Sequence, residues 1–304
     1  MVQTQDFSFL ILIFISFFLV KAGFDPKAFD SIPKLLFNLC FPALILISFS
    51  GADGDMAGPD AVFMAAFAVA YTVVVYPLTY AVLWHYRHAA RKDTLALNMI
   101  MGNITFVGLP FIYYFFGAWG ARLAIFFGAV QDFFIWSVCY WMFSGKGSFK
   151  QTLKVILNPC FVAIIIGFAL AGTGFKIPDI IISPVNMLAG TTVPLALLCI
   201  GSLLAQNTDA LKRLDLDAVL SVIAKTFVLP AIVFITLTVI GADPALALLS
   251  TLITALPVGL LSVIFAKEFG KDVAFANVVF VLSTLVFIMT CFMLFLRGVC
   301  TILK

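Results

Sequence analysis

Charge is the scarcest property of this chain. Lysine, arginine, aspartate and glutamate make up 11% of its 304 residues, against 63% hydrophobic residues and a mean hydropathy of +1.15. Soluble domains are about 25% charged and about 45–50% apolar, so a water-soluble globular fold is excluded. Metal-type and disulfide-type cysteine spacings are also missing. Cys40, Cys139, Cys160, Cys199, Cys291 and Cys300 are scattered through apolar segments, with no CxxC or Cys/His pattern, and read as small buried hydrophobes. There is no GxxxxGK[ST], hence no nucleotide-driven motor within the chain. HExxH, paired aspartate-rich motifs and paired intramembrane aspartates are absent too, and with them the usual ways a membrane-embedded enzyme activates water or holds pyrophosphate. No long basic run suggests nucleic acid. No basic segment precedes the first apolar stretch, so Phe7–Val20 reads as a retained span, short unless Ala22–Phe24 extends it, rather than a cleaved signal peptide.

What the chain does have is long apolar runs. A bilayer-crossing helix needs about 20 mainly apolar residues. That criterion places spans near 7–24, 32–51, 61–84, 94–117, 121–144, 152–172, 178–205, 216–240, 244–267 and 272–300. The expected fold class is therefore an all-α polytopic membrane protein of ten helices, with short polar connectors. Connectors one, three, five, seven and nine hold Lys21, Lys27, Lys34, Arg87, Arg91, Lys92, Lys146, Lys150, Lys154, Lys212, Arg213, Lys267 and Lys271. The even connectors hold Arg122 and Lys176 beside Asp53, Asp55, Asp60 and Asp243. Positive residues mark the cytoplasmic side, so the odd connectors are expected inside and both termini outside.

Two apolar segments are interrupted midway by glycine and proline: Gly102–Gly117 at Gly108-Leu109-Pro110, and Thr254–Gly270 at Pro257-Val258-Gly259. Proline lacks a backbone donor and clashes with the preceding turn, so each cluster is expected to break its helix. In lipid, freed backbone groups are tolerated only where they face protein or a water-filled cavity. Matching interruptions in two halves point to a transporter's binding site. The prolines do match: Pro42 in span two with Pro194 in span seven, and Pro110 in span four with Pro257 in span nine. A five-span unit repeated once is inverted, because an odd span count reverses the second copy. The expected repeats are residues 1–148 and 149–304.

These residues carry a resemblance. With its FPALI segment at Pro42, the NITFVGLP segment from Asn103 to Pro110, KTFVLP from Lys225 to Pro230 and the break at Pro257, the chain resembles the auxin efflux carrier family of membrane transporters. That family includes plant auxin carriers and bacterial malonate or malate permeases. The resemblance implies a fold like that of bile-acid sodium symporters, in which spans four and nine unwind and cross at mid-membrane, within a mobile core that works against a scaffold. It further implies small organic anions as substrates, a homodimer, and residence in a bacterial cytoplasmic (inner) membrane. Family members carry a polar substrate-holding residue near the second break; here Leu260 and Leu261 follow Gly259.

At an unwound crossing, the amino ends of half-helices offer free N–H groups and a positive dipole end that suit a carboxylate. Carbonyls at the opposite half-ends suit Na+. The expected substrate site has Asn103, Thr105, Gly108 and Pro110 on one wall, and Thr251, Thr254, Pro257 and Gly259 on the other. The plainer reading is that the prolines kink packed helices while Gly108 and Gly259 permit close approach; two kinks at matched depth weigh for a site. Asn103 also resembles the family's substrate contact.

Lys225 lies about nine residues into span eight, near mid-depth at ~1.5 Å rise per residue. A charge there costs ~2.5–3.5 kcal/mol on insertion scales. Asp132, beside Gln131 in span five, is the other intramembrane ion. Three roles stay open for these coupling or gating candidates: a Lys225–Asp132 pair, proton uptake by either, or a hydrogen bond from Lys225 to broken-helix carbonyls. Asn38, Thr191 and Thr192 flank the matched prolines and either line the cavity or join helices, as do Ser283 and Thr284 in span ten. His85 and His88, among Arg87, Arg91 and Lys92, suit anionic lipid headgroups better than a metal.

The expected function is a secondary transporter moving a small mono- or dicarboxylate by alternating access, with Na+ or H+ as candidate coupling ion and no cofactor. Its rivals are a ten-helix drug/metabolite-type transporter with continuous fourth and ninth helices, a channel, and a membrane-embedded enzyme.

Overall fold

The computed structural model describes residues 8–29, 31–50, 58–86, 89–134, 159–173 and 177–302. The end of the fifth expected span, the start of the sixth, Cys139, Asp53, Asp55, Arg87, His88, Lys146, Lys150, Lys154 and Lys176 lie outside the described residues. Within them the chain is nearly all helix, and its single extended pairing is an isolated antiparallel bridge between Gly102 and Val258. Six helical stretches are long and apolar enough to cross a membrane: Pro26–Ser48, Pro59–Val82, Ile104–Phe134, Asp179–Arg213, Leu216–Val239 and Val273–Cys291. Ile11–Lys21 and Pro244–Ala255 are shorter apolar helices. A chain of this composition and length of helix is an integral membrane protein.

In chain order the α-helices are α1 (Ser8–Lys21), α2 (Ile32–Leu35), α3 (Phe41–Ser50), α4 (Pro59–Val82), α5 (Ala89–Ile100), α6 (Leu109–Phe134) and α7 (Pro159–Thr173). They continue as α8 (Asp179–Asn207), α9 (Leu216–Ile223), α10 (Leu229–Val239), α11 (Pro244–Ala255), α12 (Leu260–Glu268) and α13 (Val273–Ile302). Aspartates start several of them by accepting from the otherwise orphaned first-turn N–H groups. Asp215 accepts from Ala218 N at 3.0 Å, Asp243 from Ala245 N at 2.8 Å, and Asp272 from Phe275 N at 2.9 Å. At Gly117 (φ 62°, ψ −158°) α6 kinks, because glycine alone enters that region without a Cβ penalty.

The prolines behave differently from the sequence expectation. Three π-helical turns, Leu36–Cys40, Ile104–Gly108 and Ala224–Val228, each end two residues before a proline: Pro42, Pro110 and Pro230. A proline ring collides with the carbonyl four residues back, and widening that turn to π geometry moves the carbonyl aside while keeping the helix continuous. Gly108-Leu109-Pro110 therefore widens its helix instead of breaking it, and the chain is non-helical earlier, at Met101–Asn103. The second cluster does break: α11 ends at Ala255, Leu256 (ψ 144°) and Gly259 (ψ 147°) are extended, and α12 begins at Leu260.

The described residues fall into two compact units, each drawing on both halves of the sequence. One lies within Met1–Asp30, Tyr76–Val107 and Leu197–Lys304; the other within Ser31–Val75 and Gly108–Ala196. In the first unit, Leu95, Ala218, Val222, Phe275, Val278 and Val279 enclose Val258 of the second interruption. Lipid is as apolar as these side chains, so close packing rather than water exclusion holds them. Packing is tightest at Gly201, where a Cβ would stand 2.1 Å from the Ile13 carbonyl oxygen on α1. In the second unit, Ala43 and Leu44 on α3 pack with Ala189 on α8, near the matched prolines of spans two and seven.

Candidate functional site

The two interruptions pair with each other inside the first unit. Asn103 N donates to Pro257 O at 2.7 Å, and Gly259 N donates to Met101 O at 2.9 Å. Together the bonds make the Gly102–Val258 bridge. A Cβ on Gly259 would sit 3.1 Å from the Gly102 oxygen, so a side chain there would push the two segments apart by a few tenths of an ångström. Val258 N donates to Ser283 Oγ at 3.0 Å, and that hydroxyl donates to Phe280 O at 3.1 Å. Ser283 thus fastens the second interruption to α13.

The remaining ends are closed with equal economy. Met101 N donates to Leu97 O and Gly102 N to Ile100 O, which finishes α5. Lys225 Nζ, buried at 1% exposure, donates to Met99 O at 3.1 Å. Of the roles open to Lys225, a bond to a carbonyl of the broken helix is therefore realised; Asp132 belongs to the other unit. Asn103 has two functions to divide. Its Oδ1 accepts from Phe106 N at 3.3 Å and its carbonyl from Val107 N at 3.2 Å, capping the π turn, and its Nδ2 has no partner among the described residues.

Thr254, Pro257 and Gly259 are buried beside Asn103 in the first unit, with Thr105 half-buried there. The Thr254 hydroxyl donates to Thr251 O and that of Thr251 to Ala247 O, so both are tied back to their own helix. Gly108, Pro110, Asp132, Gln131, Asn38, Thr191 and Thr192 fall in the second unit. Gln131 is 2% exposed, and its Nε2 lacks a partner among the described residues. Thr192 donates to Cys40 O at 3.0 Å, satisfying a carbonyl at the end of the π turn before Pro42. Thr191 and Asn38 are exposed; the former donates to Leu188 O, the latter to Lys34 O.

Two features escaped the sequence reading. Asn98, 0% exposed, accepts from Ser262 Oγ, and its Nδ2 has no partner among the described residues. The second is a charge cluster among connectors counted only for their bases. Arg91 bonds Asp215 at 2.7 Å, Asp272 at 2.9 Å and Asp217 at 3.3 Å; Lys271 bonds Asp93 at 2.6 Å. Tyr80 and Tyr86 donate to Asp93 and Asp217. The signal was four acids, Asp93, Asp215, Asp217 and Asp272, beside otherwise basic stretches. Asp272 above all, opposed by burial and assisted by Asp215, pushes the Arg91 guanidinium above its ordinary value. At Asp272 burial is the largest influence and acts upward, yet the Phe275 N–H and Arg91 outweigh it and hold the carboxyl below its ordinary value. Lys92 lies over the Tyr80 and Trp84 rings, 5.2 and 5.6 Å from their centroids.

The sequence matches the family described as membrane transport protein over residues 1–152 and 147–295. It is also 32% identical over 146 residues to an uncharacterized transporter of Methanocaldococcus jannaschii, a match covering 46% of this chain and 47% of that protein. The chain thus spans about half the length of the curated relative it matches. With the family match running from end to end of the paired interruptions and beyond, this chain belongs to the membrane transport protein family, that of the auxin efflux carriers.

Proposed function

We propose that the protein is a secondary transporter that carries a small organic anion, a mono- or dicarboxylate, by alternating access. The observation that carries this reading is the pairing of the two interruptions through Asn103 N–Pro257 O and Gly259 N–Met101 O. It supports two helices that cross where both are unwound, within an inverted repeat of five plus five spans. At such a crossing, backbone donors and half-helix dipoles hold an anion without a costly fixed charge. The interrupted helices argue against the drug/metabolite rival, whose fourth and ninth helices run unbroken. The protein works as a homodimer in a cytoplasmic membrane, with its termini outside.

Energy comes from an ion gradient or the substrate's own. The test is flux into proteoliposomes of the purified protein with radiolabelled acetate, malonate and malate, under imposed Na+ and pH gradients. Saturable uptake with counterflow is expected. Non-saturating flux would indicate a channel, and no flux of any carboxylate would end the reading.

A further inference from the structure

The chemistry of the paired interruptions can be read by counting donors against acceptors. Around them, seven carbonyls each already accept from the protein. Leu97 O takes Met101 N, Met99 O takes Lys225 Nζ, Ile100 O takes Gly102 N, and Met101 O takes Gly259 N. Ile253 O takes Leu256 N, Pro257 O takes Asn103 N, and Gly259 O takes Ser262 N. Beside them one buried side-chain donor has no partner among the described residues. Asn98 on α5 is 0% exposed, and its Nδ2 has no partner, while its Oδ1 is held by Ser262 Oγ. Ser262, also 0% exposed, lies in the first turn of α12, a helix of 9 residues. The Asn98 amide thereby lies against the first turn of α12, and a helix amino terminus, with its positive dipole end, favours negative charge nearby.

A buried donor without an acceptor costs about 1–3 kcal/mol, a standing penalty that an incoming acceptor removes. We infer that Asn98, oriented by Ser262 and joined by the first turn of α12, is a carboxylate-binding subsite that contributes to recognition of the transported anion. This rests on the proposed carrier reading. Ser262 acts as a positioning residue: its hydroxyl fixes the amide plane, leaving the –NH2 edge for a carboxylate oxygen. Asparagine suits the task, since a charged donor in its place would raise the penalty of the empty state, and aspartate would repel the ligand.

The test uses the full-length protein with radiolabelled malonate and acetate, read by uptake in proteoliposomes and, separately, by the shift in melting temperature on adding either anion in detergent. For Asn98→Ala, KM should rise at least about ten-fold, the scale of one lost charge-assisted hydrogen bond. Asn98→Asp should lose both uptake and the anion-induced shift. The double variant Asn98→Leu/Ser262→Ala removes the orphaned donor and its partner together. It should melt no lower than wild type without anion, yet lose the shift, which separates binding from folding. A wild-type KM and shift in these variants would overturn the subsite, showing water or nothing at Nδ2. If wild type shows the shift and the variants lose it but no flux occurs, the subsite stands and the carrier reading falls. If wild type shows neither, both fall.

Discussion

Asn103 donates its backbone N–H to the carbonyl of Pro257 at 2.7 Å, so the interruption in one half of the sequence is completed by the interruption in the other. Each break leaves backbone groups that lipid cannot satisfy. Pairing solves both at once and holds two chain segments in fixed register, with Gly102 opposite Val258.

Gly259→Ala should damage transport more than Gly102→Ala. A Cβ on Gly259 would lie 3.1 Å from the Gly102 oxygen, whereas a Cβ on Gly102 finds nothing nearer than 3.6 Å. Overpacking of the tighter kind costs about 1–3 kcal/mol. Uptake by the Gly259 variant is expected to fall at least about ten-fold at comparable expression, with the Gly102 variant near wild type. Equal behaviour of the two would count against a bridge that is kept close during turnover.

Asn103→Ala and Asn103→Asp should part company. The alanine loses both the cap on Phe106 N and the Nδ2 donor, and a lost cap costs about 0.5–2 kcal/mol. Aspartate keeps the cap oxygen and loses the donor, so it should melt close to wild type while saturable carboxylate uptake disappears. Normal kinetics in Asn103→Asp would remove this side chain from the site.

Lys225→Met should lower the melting temperature, because it removes the buried hydrogen bond from Nζ to Met99 O, worth about 0.5–1.5 kcal/mol. Scanning calorimetry of the detergent-purified variant checks this. An unchanged transition would mean that the bond at Met99 contributes nothing to stability.

Replacing Na+ by choline should leave carboxylate uptake within about two-fold of its starting value, since seven carbonyls around the interruptions already accept hydrogen bonds and offer an incoming cation little. A strict Na+ requirement, measured as initial rates, would place a cation site elsewhere in the chain.

Acid should loosen the Arg91 cluster. The Asp272 carboxyl is held below its ordinary value in the folded protein, so its contribution is complete above the unfolded value of about 4 and is lost as pH falls through the depressed folded value. Arg91 and its partners are about a third exposed, so the pair is worth no more than about 1 kcal/mol after screening. The melting temperature should fall on acidification below about pH 4, and Arg91→Gln should flatten that part of the profile. An identical profile in the variant would show that Asp272 is held by the backbone N–H groups of Phe275 and Ala274 without Arg91.

Composition and the spacing of prolines determined a good deal without any coordinates. So little charge and such long apolar runs admit a membrane-embedded helical chain and nothing water-soluble. Pro257 with Gly259, in an otherwise apolar run, marked a true break, because proline removes a donor and glycine tolerates the extended backbone that follows. Pro110 looked the same in sequence, but a π turn absorbed it, since a wider turn clears the ring at little expense. Whether a proline breaks or widens a helix depends on what the neighbouring backbone groups can bond to.

Tertiary structure alone decided where the first interruption lies and what it does. Nothing local at Met101–Asn103 demands an end to α5; the chain leaves the helix there because Met101 O and Asn103 N find Gly259 N and Pro257 O in the other half. Asn98 was invisible for the same reason, being one polar residue among several on α5 until Ser262 is seen against it. Arg91, counted as one base among many, acquired its role when three aspartates from two distant connectors closed around it. Periodicity and composition report what each segment can bury or leave exposed. Hydrogen bonds between distant groups depend on which segments the fold brings within 3 Å, and one-dimensional order does not contain that distance.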